Sequence, residues 1–237
     1  MKICQAYLVS QTQEPNKTIW IAAHQDYYSG VAVLDTIPNE RDAGQAIINM
    51  LLKGNRGHFG CFEHPSITLN FARVPHSTMQ QLRTHRVGIS FDVQSFRYTS
   101  ETILAVASGK DIESAIYFRP VGNYTNREGK KYYYSEQTRS RDIILAYKMC
   151  VNYTTKFEEG MPEEMARGLL PFDYFQNMVV TFNARSLMHM LDLRAKADAQ
   201  LECQLFCEEL FEKFKEWTPE IADWYFKNRW AKARLAP

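Results

Sequence analysis

A chain of 237 residues with 45% hydrophobic content can bury a sizeable core, and 23% charged residues are ordinary for a globular protein. Its 28 basic and 27 acidic side chains leave a formal charge of +1, which argues against general nucleic-acid binding, where a basic footprint is needed. No apolar run approaches a membrane span, the N-terminal apolar core is too short for a signal peptide, and the five cysteines are odd in number without a CxxC, so a reduced, cytoplasmic protein with no disulfides and no membrane contact is expected.

Residues 1–8 alternate weakly through Ile3, Cys4, Ala6 and Leu8 and are read as a first strand. Gln11 to Lys17 reads as a loop, and Thr18 to Tyr28 as a short strand or helix feeding a polar turn. Pro38 and Asn39 open a helix with an apolar stripe at Ala43, Ile47, Ile48 and Leu51, and Gly54 stops it. A loop with His58, Glu63 and His64 follows. Ser66 to Val74 alternates Ile67, Leu69 and Phe71 with Thr68, Asn70 and Ala72, the pattern of a half-buried strand, and Pro75 ends it. Ser77 is read as the cap of a helix carrying Met79, Leu82, Arg83 and Arg86, which would set the two arginines on one helical face.

Beyond Tyr98, the apolar segment Ile103 to Ala107 is broken by Gly109, and Ala115 to Val121 reads as a strand. Asn123 to Arg141 is polar, basic and tyrosine-rich, the best place for a mobile loop. It is also the segment a single-stranded nucleic-acid-binding module would use, with bases stacking on Tyr132 to Tyr134 and phosphates on Lys130, Lys131, Arg139 and Arg141. From Asp142 the spacing is helical until Gly160. Pro162, Glu163 and Glu164 start another helix, with acids near the positive end of its dipole, and Pro171 stops it. Phe175 to Phe182 reads as an apolar connector or short helix, and Ala184 to Trp217 as one long amphipathic helical tract. With no repeat and no linker, the expected fold is α+β: a mixed sheet packed with helices plus the C-terminal helical tract, in a single domain over 1–237.

Two polar clusters carry the chemistry. Between Ser77 and Thr99, Arg83, His85, Arg86 and Arg97 are interleaved with Phe91, Val93, Phe96 and Tyr98, which a simple solvated turn would not show. Guanidiniums in that setting suit phosphates or planar, carbonyl-rich rings. The second cluster holds Glu164, Arg167, Asn183, Arg185, His189, Arg194, Asp198, Gln200 and Glu202. Salt bridging on an exposed face is its plain reading. Against that, TFNARSLMHMLDLRAKADAQLE keeps arginines among apolar residues, where a guanidinium needs an anionic or carbonyl partner. No HExxH and no Cys/His quartet occurs, so no metal is expected, and G-x-S-x-G, Walker and G-x-G-x-x-G motifs are also missing.

Five blocks stand in order: HFGCFEH at 58–64, RTHR at 83–86, SFRY at 95–98, EMARGLLP at 164–171 and NARSLMHMLDLRAKADAQLE at 183–202. On these blocks the chain resembles the flavin-dependent thymidylate synthases, over roughly residues 18 to 217. It departs from the family signature in reading Arg-Thr-His-Arg, so that either Arg83 or Thr84 matches the first motif arginine. Asp92 and Val93 replace the usual Asn-Glu, and Asp198 stands where several relatives have histidine.

The resemblance implies a thymidylate-synthase-complementing-type domain. Its reaction is the reductive methylation of deoxyuridylate (dUMP) to thymidylate (dTMP), with 5,10-methylenetetrahydrofolate as carbon donor and FAD, reduced by NADPH, as hydride carrier. It further implies a homotetramer with inter-subunit active sites and no nucleic-acid or membrane partner. Carried over by position, Gln80, Arg83, Ser95, Arg97, Arg167 and Arg194 match dUMP contacts, with Ser95, Arg97 and Arg194 as the catalytic set. His58, Arg83, His85, Arg86, Asn183, Arg185, His189 and Leu193 match FAD contacts. The contrasting flavin-free enzymes attack with a thiolate; Cys61, Cys203 and Cys207 do not sit in that role, and activity is expected to survive replacement of all five cysteines.

Overall fold

The computed structural model describes residues 2–126 and 128–232. Its strands are β1 (Gln5–Gln11), β2 (Ser66–Pro75), β3 (Ile89–Val93), β4 (Gly122–Thr125), β5 (Lys131–Tyr134) and β6 (Phe175–Asn183). Its α-helices are α1 (Pro15–Gln25), α2 (Glu40–Ile47), α3 (His76–Leu82), α4 (Glu101–Ala107), α5 (Glu136–Glu158), α6 (Glu163–Ala166), α7 (Ala184–Arg194), α8 (Leu201–Trp217) and α9 (Pro219–Asn228). The mixture of sheet and helix is the α+β class expected. The described residues group into two compact units, each built from more than one stretch of chain: 2–74, 78–92 and 177–232 in the larger, 75–77, 93–126 and 128–176 in the smaller.

The larger unit is organised on a sheet in the order β1-β2-β6-β3. β1 pairs antiparallel with β2, Ala6 facing Phe71 and Leu8 facing Leu69, with an irregularity between Leu8 and Ser10. The predicted alternation of β2 holds: Ile67, Leu69 and Phe71 are buried. β6 corrects the reading of 175–182 as a connector or helix. Met178, Val180 and Phe182 are buried with period two, a pattern blurred in the sequence by the apolar Val179 between them. α8 covers the inner face, with Phe206 4.3 Å from Phe71 between ring centroids.

Three helical readings change in this unit. Residues 18–25 belong to a helix that begins earlier, at Pro15, and passes into a turn at Asp26; it starts there because the Glu40 carboxylate, far along the chain, accepts from the N–H groups of Asn16 at 2.6 Å and Lys17 at 3.0 Å. α3 ends at Leu82, where Thr84 Oγ1 donates to the Gln81 carbonyl at 2.7 Å, so Arg83 and Arg86 do not share a helical face. The C-terminal tract is two helices, α7 and α8, rather than one. Residues 195–200 bring no large apolar side chain to bury, and Gln204 Nε2 donates to the Ala199 carbonyl at 2.8 Å across the break. The helix opened at Asn39 forms as expected: Asn39 Oδ1 accepts from the Asp42 N–H at 2.9 Å, and a π-helical turn over Ile48–Leu52 leads to Gly54 at φ +75°.

In the smaller unit, α4, α5 and α6 enclose a core of Ile103, Val106, Ala146, Cys150, Tyr153 and Leu170. Ser77 is not a helix cap here: it lies inside the first turn of α3, and its N–H donates to Asp173 Oδ1 at 3.0 Å. Ala115 to Val121 is not a strand; only Ile116 bridges to Tyr174. The segment read as a mobile loop over 123–141 is a hairpin running into a helix. Asn123 faces Tyr133 and Tyr124 faces Tyr132, while Ser135 caps α5 by accepting from the Thr138 N–H at 3.1 Å. Residue 127, within that loop reading, lies outside the described residues. The tyrosines that suggested a polar loop are cross-strand neighbours on a pleated surface, where aromatic residues are favoured.

Candidate functional site

α7 is placed by its first turn. Asn183 Oδ1 accepts from the Ser186 N–H at 2.8 Å, and the Asn183 N–H donates to the Gly88 carbonyl at 3.2 Å. Gly88 is at φ +66°, and a Cβ there would lie 2.2 Å from Ser186 Oγ and 2.4 Å from Asn183 Nδ2. Only glycine lets the chain after Arg86 lie against the helix start. That close approach ties the turn carrying Thr84, His85 and Arg86 to the helix carrying Arg185, His189, Leu193 and Arg194.

At the other end of α7, Arg194 is half-buried and held on several sides. Its Nε donates to His85 Nε2 at 3.0 Å, Nη2 to the Gln81 carbonyl and to Thr84 Oγ1 at 3.4 Å each, and Nη1 to Gln81 Oε1 at 3.5 Å. His85 and His189 meet edge to face, 5.6 Å between ring centroids. Burial first, then the Arg194 charge and His189, push His85 down to about 4. At neutral pH its imidazole is therefore uncharged and accepts at Nε2, leaving the proton on Nδ1. Of the residues predicted from sequence, the fold thus brings His85, His189 and Arg194 together.

Other predicted residues of this unit lie on the same turn, on α3, on α7 and in the loop before β2. Arg185 Nη1 pairs with Glu63 Oε1 at 2.6 Å. His58 is exposed, with the Tyr27 hydroxyl 3.4 Å from its Nε2. Arg83 and Arg86 are exposed in the turn, Gln80 is exposed on α3, and Leu193 is half-buried on α7. Asp192, on the same helix, is buried against α9: Arg229 Nη2 donates to its Oδ2 at 2.7 Å and the Tyr225 hydroxyl to its Oδ1 at 2.9 Å.

The smaller unit holds its own cluster. Arg97 Nε lies 3.4 Å from Glu164 Oε2, so Glu164 pairs across the unit rather than with Arg167 along its own helix. Ser95 opens the turn that carries Arg97: its carbonyl accepts from the Tyr98 N–H at 3.0 Å and from Thr99 Oγ1 at 2.9 Å. Arg167 is exposed on the turn after α6, where its charge opposes the burial that raises the Tyr174 hydroxyl.

Sequence reading missed Gln81 and Thr84 as partners of Arg194, and Glu63 as the partner of Arg185. Their chain separations carry no periodic signal. Gln200 and Glu202 were read as members of a charged cluster, and both lead into Gln81: Gln81 Nε2 donates to Gln200 Oε1, and Gln200 Nε2 donates to Glu202 Oε2 at 2.7 Å. Among the described residues, no three His, Cys, Asp or Glu side chains are grouped to hold a metal, and no helix is long and apolar enough to cross a membrane. All five cysteines are buried and unbridged. Burial pushes the thiols of Cys61, Cys150 and Cys203 up to about 11, and those of Cys4 and Cys207 also upward, so thiolates are scarce at neutral pH.

The donor set in the larger unit fits a flavin dinucleotide chemically. Exposed Arg83 and Arg86, with Arg185 on the first turn of α7, suit a pyrophosphate. The edge-to-face imidazoles of His85 and His189 suit a planar heterocycle.

The family described as thymidylate synthase complementing protein matches residues 7–220. The chain is 35% identical to the flavin-dependent thymidylate synthase of Halobacterium salinarum, covering 97% of this chain and 98% of the relative. It is 32% identical to that of Haloarcula marismortui over the same shares. Among solved structures, the UMP/dUMP methylase PolB of Streptomyces cacaoi bound with 5-Br dUMP has a TM-score of 0.77 at 21% identity, covering 100% of both chains. Thymidylate synthase X of Helicobacter pylori with FAD and dUMP has a TM-score of 0.67 at 18% identity, covering 88% of this chain and 92% of that one. At those identities the two structures speak for the fold alone.

Proposed function

This chain belongs to the family of flavin-dependent thymidylate synthases, and from that premise we propose how its own residues serve the reaction. The reaction is reductive methylation of dUMP to dTMP, with 5,10-methylenetetrahydrofolate as carbon donor and FAD, reduced by NADPH, supplying hydride chemistry when bound. In this reading Arg83, His85, Arg86, Asn183, Arg185, His189, Leu193 and His58 hold the flavin. Gln80, Arg83, Ser95, Arg97, Arg167 and Arg194 contact dUMP, with Ser95, Arg97 and Arg194 closest to the chemistry. The chain acts as one domain within a cytoplasmic homotetramer whose active sites draw on more than one subunit, without nucleic-acid or membrane partners.

The observation that carries this reading is the fixation of Arg194. Reduction of a uracil ring moves negative charge onto its carbonyl oxygens. A guanidinium already held by His85, Gln81 and Thr84 stabilises that charge with little reorganisation. A mobile arginine would spend part of the interaction on being ordered. His85, neutral at working pH, accepts from Arg194 and leaves the guanidinium charge intact for the substrate. No thiolate is required, in keeping with five buried cysteines whose thiols are all raised.

The test is spectroscopic. The purified protein should show flavin absorbance, bleach anaerobically with NADPH, and convert dUMP to dTMP in the presence of methylenetetrahydrofolate. A colourless protein that cannot be reconstituted with FAD overturns the reading. A chain with all five cysteines replaced by Ser or Ala should still turn over; loss of activity through one cysteine, with the fold intact, would restore a thiolate mechanism.

A further inference from the structure

The carboxylate of Glu202 and the amides of Gln200 and Gln81 form a line ending on Arg194. Glu202 is 1% exposed, and its Oε2 stands at the end of the line as an acceptor. Gln200 must turn its amide nitrogen toward it, which it does at 2.7 Å. That choice sends Gln200 Oε1 the other way, where it accepts from Gln81 Nε2. Gln81 in turn has its Oε1 left to face Arg194 Nη1 at 3.5 Å and the Cys203 thiol at 3.7 Å. Each amide has one donor end and one acceptor end, so fixing the first fixes the second.

We propose that Glu202 sets the direction of a two-amide relay through Gln200 and Gln81, so that a carbonyl oxygen, and not an amide N–H, is presented to the guanidinium of Arg194. Gln81 is in this sense a positioning residue acting through Arg194. Were either amide reversed, N–H groups would face a cation, and Arg194 would be driven from its place. The inference rests on the reading of Arg194 as a dUMP contact only for its consequence in binding. The relay itself is a property of the larger unit.

The test uses the holoenzyme and four variants: Gln81→Leu, Glu202→Gln, Arg194→Ala and the double variant Gln81→Leu/Arg194→Ala. Glu202→Gln keeps shape but can donate as well as accept, so the relay loses its fixed direction. Crystal structures of Gln81→Leu and Glu202→Gln should show the Arg194 guanidinium displaced or in more than one position. Titration with dUMP should show roughly tenfold weaker binding for Gln81→Leu, the scale of a hydrogen bond to a charged group. The effect should be smaller but in the same direction for Glu202→Gln. The double variant should bind no more weakly than Arg194→Ala, since a residue acting through Arg194 has nothing left to position.

An Arg194 that keeps its place in both variants overturns the relay, as does an effect of Gln81→Leu that adds in full to that of Arg194→Ala. If Arg194 moves while dUMP affinity is unchanged in every variant, the relay stands and the assignment of Arg194 to the nucleotide falls. Should Gln81→Leu fail to fold, Glu202→Gln alone decides by the position of Arg194.

Discussion

Replacing Gly88 by alanine tests how the turn after Arg86 is tied to α7. The residue is at φ +66°, where a Cβ costs about 1–2 kcal/mol. The added methyl would also stand 2.2 Å from Ser186 Oγ and 2.4 Å from Asn183 Nδ2, so Asn183 must leave its capping position on the Ser186 N–H. Losing such a cap costs about 1 kcal/mol. Together the loss is about 2–3 kcal/mol, which in a chain of this size lowers Tm by roughly 5–10 °C. Gly54→Ala is the internal control: φ is +75° there but nothing lies within 4 Å, so only the conformational cost of about 1–2 kcal/mol applies. Urea unfolding at fixed protein concentration measures both, because assembly would otherwise shift the midpoint. The larger loss in Gly88→Ala should be accompanied by weaker FAD binding, since His85 and Arg86, assigned above to the flavin, lie in the turn that Gly88 holds against α7. A Gly88→Ala protein within about 0.5 kcal/mol of Gly54→Ala would refute the packing argument.

His85 gives a pH dependence. Its folded value, about 4, lies below the unfolded value near 6.5. The unfolded chain therefore holds the extra proton first, and the stability linked to this group is complete above pH 6.5 and lost as pH falls toward 4. Because the ring is only half-buried, the loss is about 1–2 kcal/mol after discounting for solvent screening. A His85→Gln variant should lose correspondingly less between pH 7 and pH 4.5, and equal losses in the two proteins would contradict the shift. Asp192→Asn should destabilise by about 3 kcal/mol, because it removes the charge facing the Arg229 guanidinium at a buried site. An unchanged denaturation midpoint would show that this pair contributes nothing.

The chemistry was legible in the sequence because it depends on residue type and order. Arginines set among apolar residues at 183–202 demanded polar partners, and the five blocks carried the family likeness across most of the chain. β2 was legible because one face is buried and the other polar, and the helix after Asn39 because its cap and stripe are local. The tertiary structure decided whatever rests on distant partners. α1 starts where Glu40 accepts from its first N–H groups, and α3 starts beside Asp173. β6 hid its alternation behind Val179, and the tyrosines of 123–141 became hairpin neighbours only by pairing across strands. Arg194 was nameable from its sequence alone, but its partners Gln81, Thr84 and His85 lie more than a hundred positions earlier. Local patterns fix what a segment prefers to be; hydrogen bonds between remote segments fix where its side chains are held.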